Sequence, residues 1–154
     1  MSKRYSDKVI TAHLKKESIG ILGTWDKNND SIRQRVMYYG FDQKLSFYLM
    51  STKGSPKIEQ ILADSHFSFI VFGIEDPFDE SWEVEINGQA RLLATNKEID
   101  SALDRLKDGN PFAEVAFESG ITSHFDFIQL TPKVIRFRIY GEALKGTPPT
   151  VLEM

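Results

Sequence analysis

The chain has 154 residues, 41% of them hydrophobic and 27% charged, with a formal net charge of −3. That length suits one domain with a core of its own, and a slight negative charge without blocks of like sign argues against nucleic acid or anionic lipid as a partner. The absence of cysteine excludes disulfides, thiolate catalysis and thiolate metal sites, and no apolar run approaches the roughly 20 residues of a membrane-spanning helix.

At the start, MSKRYSDKVITAHLKK is basic but has neither an apolar centre nor a small-residue cleavage site, so no secretory signal is visible and a cytoplasmic address is expected. Tyr5, Val9, Ala12 and His13 recur at helical spacing, with Ser6 or Asp7 as a cap, predicting a helix over 7–16. The apolar run SIGILGTW, 18–25, is too short for a helix and reads as a buried strand. Asp26 to Asp30 is turn chemistry. Its Asn29-Asp30-Ser31 matches a glycosylation sequon only by chance if no secretory route exists.

Ile32 to Gly40 and Leu45 to Met50, separated by Phe41-Asp42-Gln43-Lys44, have the spacing of a hairpin. Alternation puts Arg33, Arg35, Met37 and Tyr39 on one face and Ile32, Gln34, Val36 and Tyr38 on the other. Ser55-Pro56 then opens a helix through Ala63, with Ile58, Ile61 and Leu62 as its apolar stripe. FSFIVFGI, 67–74, reads as a central buried strand.

After an acidic loop, Trp82 to Ala94 alternates until Asn87-Gly88. Local rules make that dipeptide a tight hairpin turn, with a bulged continuous strand as the other possibility. Thr95 or Asn96 caps a helix carrying Ile99, Leu103 and Leu106, ending near Asp108-Gly109, and a second short helix follows Pro111 through Phe117. Phe125 to Gly141 reads as strand, with Thr131-Pro132 at an edge or bulge. GTPPTVLEM is extended and expected to be loose or draped on a neighbour. The whole predicts an α+β, mainly β, antiparallel barrel or sandwich of about six strands with flanking short helices.

A phosphate-type anion needs charge-assisted donors in fixed geometry: a guanidinium fork, an ammonium, hydroxyls and a helix start. Arg35, Ser51, Thr52, Ser55 and Lys57 supply all of these if the hairpin end and helix start converge. Surface strands and helix caps use the same residues routinely, and no P-loop or G-x-G-x-x-G sequence is present. His13, His66 and His124 share no metal-ligand spacing, so no metal is assigned. Glu83 and Glu85 share a strand face that could do acid–base work but reads more simply as solvated. Neither a Ser-His-Asp order nor a nucleophile elbow supports hydrolase chemistry.

At RVMYYGFDQKLSFYLMSTKGSPKIEQI the chain resembles the FMN-binding split barrels of the pyridoxamine 5′-phosphate oxidase-like superfamily, in particular its general stress protein 26-like branch. The shared features are Arg35-Val36-Met37, Phe47-Tyr48 ending at Ser51-Thr52, and Ser55-Pro56-Lys57. The likeness extends through Phe67 to Phe72, the Trp82 to Leu93 strand with its Gly88-Gln89-Ala90 kink, and Gln129 to Pro132. It covers roughly residues 9–141 of a single domain, 1–154, with 142–154 as an extended tail.

The resemblance implies a split barrel in which Arg35 and Lys57, with Ser51, Thr52 and Ser55, hold the FMN phosphate, while Val36, Met37 and Tyr38 lie along the flavin ring. It also implies a kinked strand rather than a hairpin at Asn87-Gly88. A homodimer with flavins at the interface is expected, the C-terminal segment of one protomer covering the ring bound by the other. Two departures bear on function. The end reads RIYGEALKGTPPT where the oxidase has an Arg-Leu-His-Asp-Arg type segment, and Gly40 stands where it has Lys, so true pyridoxamine phosphate oxidation is not expected. Glu83 falls where the oxidase has a flavin-bonding Gln, and a carboxylate can accept but not donate. The expected function is an FMN-dependent oxidoreductase of unknown small-molecule substrate; the alternative is a non-catalytic module holding flavin, deazaflavin or haem.

Overall fold

A computed structural model describes residues 5–154. Its first helix, α1 (Asp7–Leu14), is capped by Ser6, whose hydroxyl accepts the Val9 N–H. It buries Ile10 and Leu14. β1 (Ile19–Asp26) and β2 (Ser31–Tyr38) then form an antiparallel hairpin in register from Ile19↔Tyr38 to Asp26↔Ser31. Asp26, almost fully buried, closes the turn by accepting the N–H groups of Asn28 and Asn29 and the Asn29 amide.

This pairing corrects the expected hairpin between 32–40 and 45–50. Only its base exists: β3 (Gly40–Phe41) pairs β4 (Phe47–Thr52) through Gly40↔Tyr48 and Phe41↔Phe47. The strand breaks at Tyr39 because that residue is anchored elsewhere. Its N–H donates to the Ser18 carbonyl and its hydroxyl to the Leu14 carbonyl, at 2.6 Å. Beside it, a Cβ on Gly40 would lie 2.3 Å from the Arg105 carbonyl oxygen, so only glycine lets α3 (Asn96–Leu106) approach there. Upstream of the break β2 is left with one neighbour, and a split opens between it and β4.

The other strands complete an eight-stranded antiparallel sheet ordered β2-β1-β5-β6-β7-β4-β3, with β8 on β7. It curls into an α+β split barrel. β5 (His66–Gly73) buries Phe67, Phe69, Val71 and Gly73, while Phe72 and neighbouring Ile74 are exposed. β6 (Trp82–Leu92) runs straight through Asn87-Gly88 with a register shift there. The kinked strand therefore prevails over the local turn rule, because a Cβ on Gly88 would sit 2.0 Å from the Thr131 carbonyl oxygen of β7 (Phe125–Ile139). Pro132 lies opposite Gly88, in the gap between β4, which pairs β7 as far as Leu130, and β8 (Thr150–Glu153), which starts at Val134. A missing N–H costs least there.

Three corrections concern the flanks. The tail is not loose: after α5 (Tyr140–Leu144) it forms β8 on β7 of its own chain, and Thr150 is buried and accepts the Tyr5 N–H. In α2 (Pro56–Ala63) Leu62 is 69% exposed while Gln60 is buried beside Ile58 and Ile61. Eight strands replace the expected six, the extra ones being the short β3 and β8. α3 begins on a full capping box between Thr95 and Glu98. α4 (Pro111–Ser119) starts at Asn110 and ends on Gly120 in the left-handed region. Among the described residues no helix is long and apolar enough to cross a membrane.

Candidate functional site

The split between β2 and β4 is an open cleft of about 220 Å³, lined by Val36, Met37 and Tyr38 of β2, Met50, Ser51 and Thr52 of β4, Lys57 of α2, and Asn110, Phe112 and Phe125. α2 starts at its floor. Ser55 occupies the N-cap position, yet its hydroxyl makes no capping bond. It turns instead to the Ser51 hydroxyl, 2.8 Å away, and both hydroxyls accept from the Lys57 ammonium at 3.4 and 2.8 Å respectively.

Arg35 of β2 lies near this group, its charge acting on Lys57, but it bonds to other partners. Its Nη1 donates to Thr24 Oγ1 at 2.7 Å and its Nη2 to Gln60 Oε1 at 3.0 Å, while Thr24 donates to the same Gln60 oxygen at 2.6 Å. That closed ring explains why a glutamine is buried in α2. Arg35 Nε has no acceptor among the described residues. Arg33 is different: it is exposed and lies 3.6 Å from Asp26, so its charge is answered.

Arg35 and Lys57 form no ion pair with any described carboxylate, and they repel each other. Burial, and then the nearby Arg35 charge, push the Lys57 ammonium below its ordinary pKa of 10.5. Burial, and then Arg33, likewise lower Arg35. Two half-buried like charges without a counterion are costly unless something anionic joins them. Pro56 has no N–H and the Ile58 N–H donates to the Ser55 carbonyl, so the start of α2 offers the Lys57 backbone N–H, and the two serine hydroxyls add further uncharged donors to the same spot.

Of the residues expected at the site, Val36, Met37, Tyr38, Ser51, Thr52 and Lys57 line the cleft; Ser55 is bonded to Ser51 and Lys57 behind it, and Arg35 is not among the lining residues but lies near enough for its charge to act on Lys57. Glu83 does not. It stands on the outer face of β6, where Arg138 Nη1 donates to it at 3.4 Å, beside Glu85 with Arg136 at 3.3 Å. Sequence reasoning missed Met50, Asn110, Phe112 and Phe125. The ring of Phe112 lies edge-on to Tyr38, with centroids 6.0 Å apart. Nothing in local pattern links residue 112 to residue 38; an apolar residue on the solvent side of a short helix was the only available sign. None of the three histidines lines the cleft, and among the described residues no group of three or more could hold a metal ion. A larger hollow of about 910 Å³ lies between α1 and α3, but the carboxylates of Asp7, Glu17, Asp42, Asp104 and Asp108 outnumber its cations, which does not suit an anion.

Fold and cleft together define an antiparallel split barrel with an open cleft in its split, Lys57 on the cleft wall. A family model described as pyridoxamine 5′-phosphate oxidase matches residues 6–139, and the chain belongs to that family, whose members commonly bind flavin. No curated protein sequence matches the chain.

Solved structures share the fold at low identity. A haem-binding protein from Mycobacterium smegmatis matches with a TM-score of 0.76 at 14% identity, over 99% of this chain and 60% of that one, so the chain spans less than two thirds of its length. A Clostridium acetobutylicum protein related to general stress protein 26 of the pyridoxinephosphate oxidase family gives 0.70 at 12% identity, over 97% of both chains. General stress protein 26 from Bacillus anthracis gives 0.68 at 16%, over 96% of this chain and 98% of that one.

Proposed function

We propose that the protein is an FMN-binding oxidoreductase whose cofactor phosphate is held by Arg35 and Lys57. The observation that carries this reading is that pair of half-buried cations without a carboxylate, beside the Ser51 and Ser55 hydroxyls and the start of α2. A phosphate dianion answers both charges and accepts from the remaining Arg35, Lys57 and hydroxyl donors.

The rest of the cleft suits a flavin ring. β2 has one neighbour in the sheet, so half of its backbone N–H and C=O groups along Val36, Met37 and Tyr38 face the split and are free to pair with the polar edge of the ring. The bound flavin would supply the electron and hydride chemistry, and the chain would hold, orient and enclose it.

A cleft of about 220 Å³ is smaller than the roughly 300–1,000 Å³ of a complete small-molecule site. A second copy of the chain is the proposed other wall. Val36, 64% exposed, belongs both to the cleft and to an apolar outer face that runs through its cross-strand partner Ile21 to Ile70, with exposed Ile19 and Phe72 alongside. Glu83 lies on that face and would act across the dimer.

The test is the absorption spectrum and FMN titration of the purified protein. A flavin spectrum and stoichiometric FMN uptake are expected. Colourless protein without FMN affinity would sink the reading, and a haem or deazaflavin spectrum would replace it with the carrier alternative. Oxidation of a reduced nicotinamide with an added acceptor separates turnover from storage.

A further inference from the structure

The cleft contains groups that a phosphate clamp does not use. Beyond Lys57 and the hydroxyls its walls are neutral, and three of them are aromatic: Tyr38, Phe112 and Phe125. Two features of α4 show that its start is built toward this space.

The first is Asn110, which is 3% exposed. Its Oδ1 accepts the backbone N–H groups of Phe112 at 2.9 Å and Ala113 at 3.2 Å. Those bonds fix the orientation of the amide, because only oxygen can accept them. Nδ2, with two hydrogens to donate, has no partner among the described residues. Every described side-chain nitrogen or oxygen that is sealed from solvent does have one, so Nδ2 keeps some solvent contact, and Asn110 is one of the residues lining the cleft.

The second is the inverted burial of α4. It buries Ala113 and Ala116 and exposes Phe112, Val115 and Phe117 at 64%, 57% and 55%. A helix held only by core packing would do the reverse. Phe112 follows Pro111 directly and is pinned by the Asn110 cap, so its ring is presented from a rigid helix start beside Tyr38.

We propose that the start of α4 recognises a second ligand in the cleft: a neutral, planar aromatic compound bearing a hydrogen-bond-accepting oxygen. Its ring packs on Phe112 and Tyr38, and Asn110 Nδ2 donates to its oxygen. This rests on the FMN reading, since Arg35 and Lys57 then serve the cofactor and no cation lining the cleft remains for a phosphorylated ligand.

Calorimetry on the FMN-loaded protein tests it, with menadione as the neutral probe and pyridoxal 5′-phosphate as the anionic one. Menadione is expected to bind and pyridoxal 5′-phosphate not to. Asn110→Asp keeps the cap, because Asp and Asn cap equally well, but replaces the donor with an acceptor. Menadione affinity should fall about tenfold or more, with FMN affinity and thermal midpoint unchanged. Asn110→Ser, which also caps but cannot reach as far, should behave alike.

Wild-type menadione affinity in both variants would overturn the proposal, as would equal binding of the two probes. Loss of FMN instead of menadione from Asn110→Asp would reassign Asn110 to the cofactor. Failure of the wild-type protein to take up FMN would overturn the preceding reading and this one with it; FMN uptake without menadione binding would overturn this one alone.

Discussion

Two pairs of cations, one on β7 and one shared between β2 and α2, are chemically similar and placed in opposite ways. Arg136 and Arg138 on β7 each meet a carboxylate of β6 directly across the ladder, Glu85 and Glu83, at 3.3 and 3.4 Å with roughly a third of each arginine exposed. Arg35 and Lys57 are also half-buried, yet they have hydroxyls, an amide and each other as company, and no acid. Cross-strand pairing satisfies charge within the chain and is worth little beyond that. On the proposed reading, a cation pair left without an acid keeps its charge for an anion from outside the chain. The presence of arginine in a strand is therefore uninformative; its partners decide what it is for.

The largest effect separating the two pairs should come from removing the unanswered charges. Arg35→Ala with Lys57→Ala deletes two sets of charge-assisted bonds, each worth about 1.5–3 kcal/mol, so FMN affinity in a fluorescence titration should fall by about two to four orders of magnitude. The thermal midpoint should barely move. A double variant that binds FMN normally would place the phosphate elsewhere.

A smaller effect concerns pH. Lys57 has its pKa depressed below 10.5 by burial and by Arg35. A bound phosphate would restore the charged form, so binding takes up protons, and affinity should decline as pH rises through the depressed pKa on the alkaline side. The ligand-free fold has the opposite sign: its charged Lys57 is disfavoured, so this group's contribution to stability improves as pH rises through the same window. Lys57→Arg, which cannot lose its proton in that range, should flatten the alkaline decline in a titration series.

The smallest effect belongs to the ladder. Arg136→Ala should change chemical-denaturation stability by no more than about 1 kcal/mol and leave FMN affinity within about twofold, as expected of a partly exposed pair.

Much of this comparison could be read from residue order, because it depends on short-range features: the 3.6-residue spacing of α1 and α3, the Thr95 capping box, the Ser55-Pro56 helix start and the alternation of Val84 and Ile86 with Glu83 and Glu85. The clamp residues lie within 23 positions of one another, and a resemblance to known split barrels brought them into one site. Features decided by distant partners were not legible. Ile32–Gly40 has the pattern of one strand, but contacts with Ser18, Leu14 and the backbone of Arg105 break it at Tyr39. Leu62 fits an apolar stripe, yet Gln60 is buried in its place because Thr24 and Arg35 require its amide. Asn87-Gly88 looks like a hairpin turn until Thr131 is seen to press on it. The tail has nothing in its own sequence to indicate pairing with Val134–Phe137.

The ring formed by Arg35, Thr24 and Gln60 bears on how quickly and how tightly an anion can be captured. A long side chain that is free in solution loses rotational freedom when a ligand arrives, at about 0.5–1.5 kcal/mol for each one immobilised. Arg35 loses that freedom when the protein folds, because Thr24 and Gln60, and at longer range the Leu22 and Arg33 carbonyls, already hold its guanidinium with Nε unoccupied. On the proposed reading, an incoming anion meets a preorganised fork, and what it gains from the contact is not diminished by the work of arranging it.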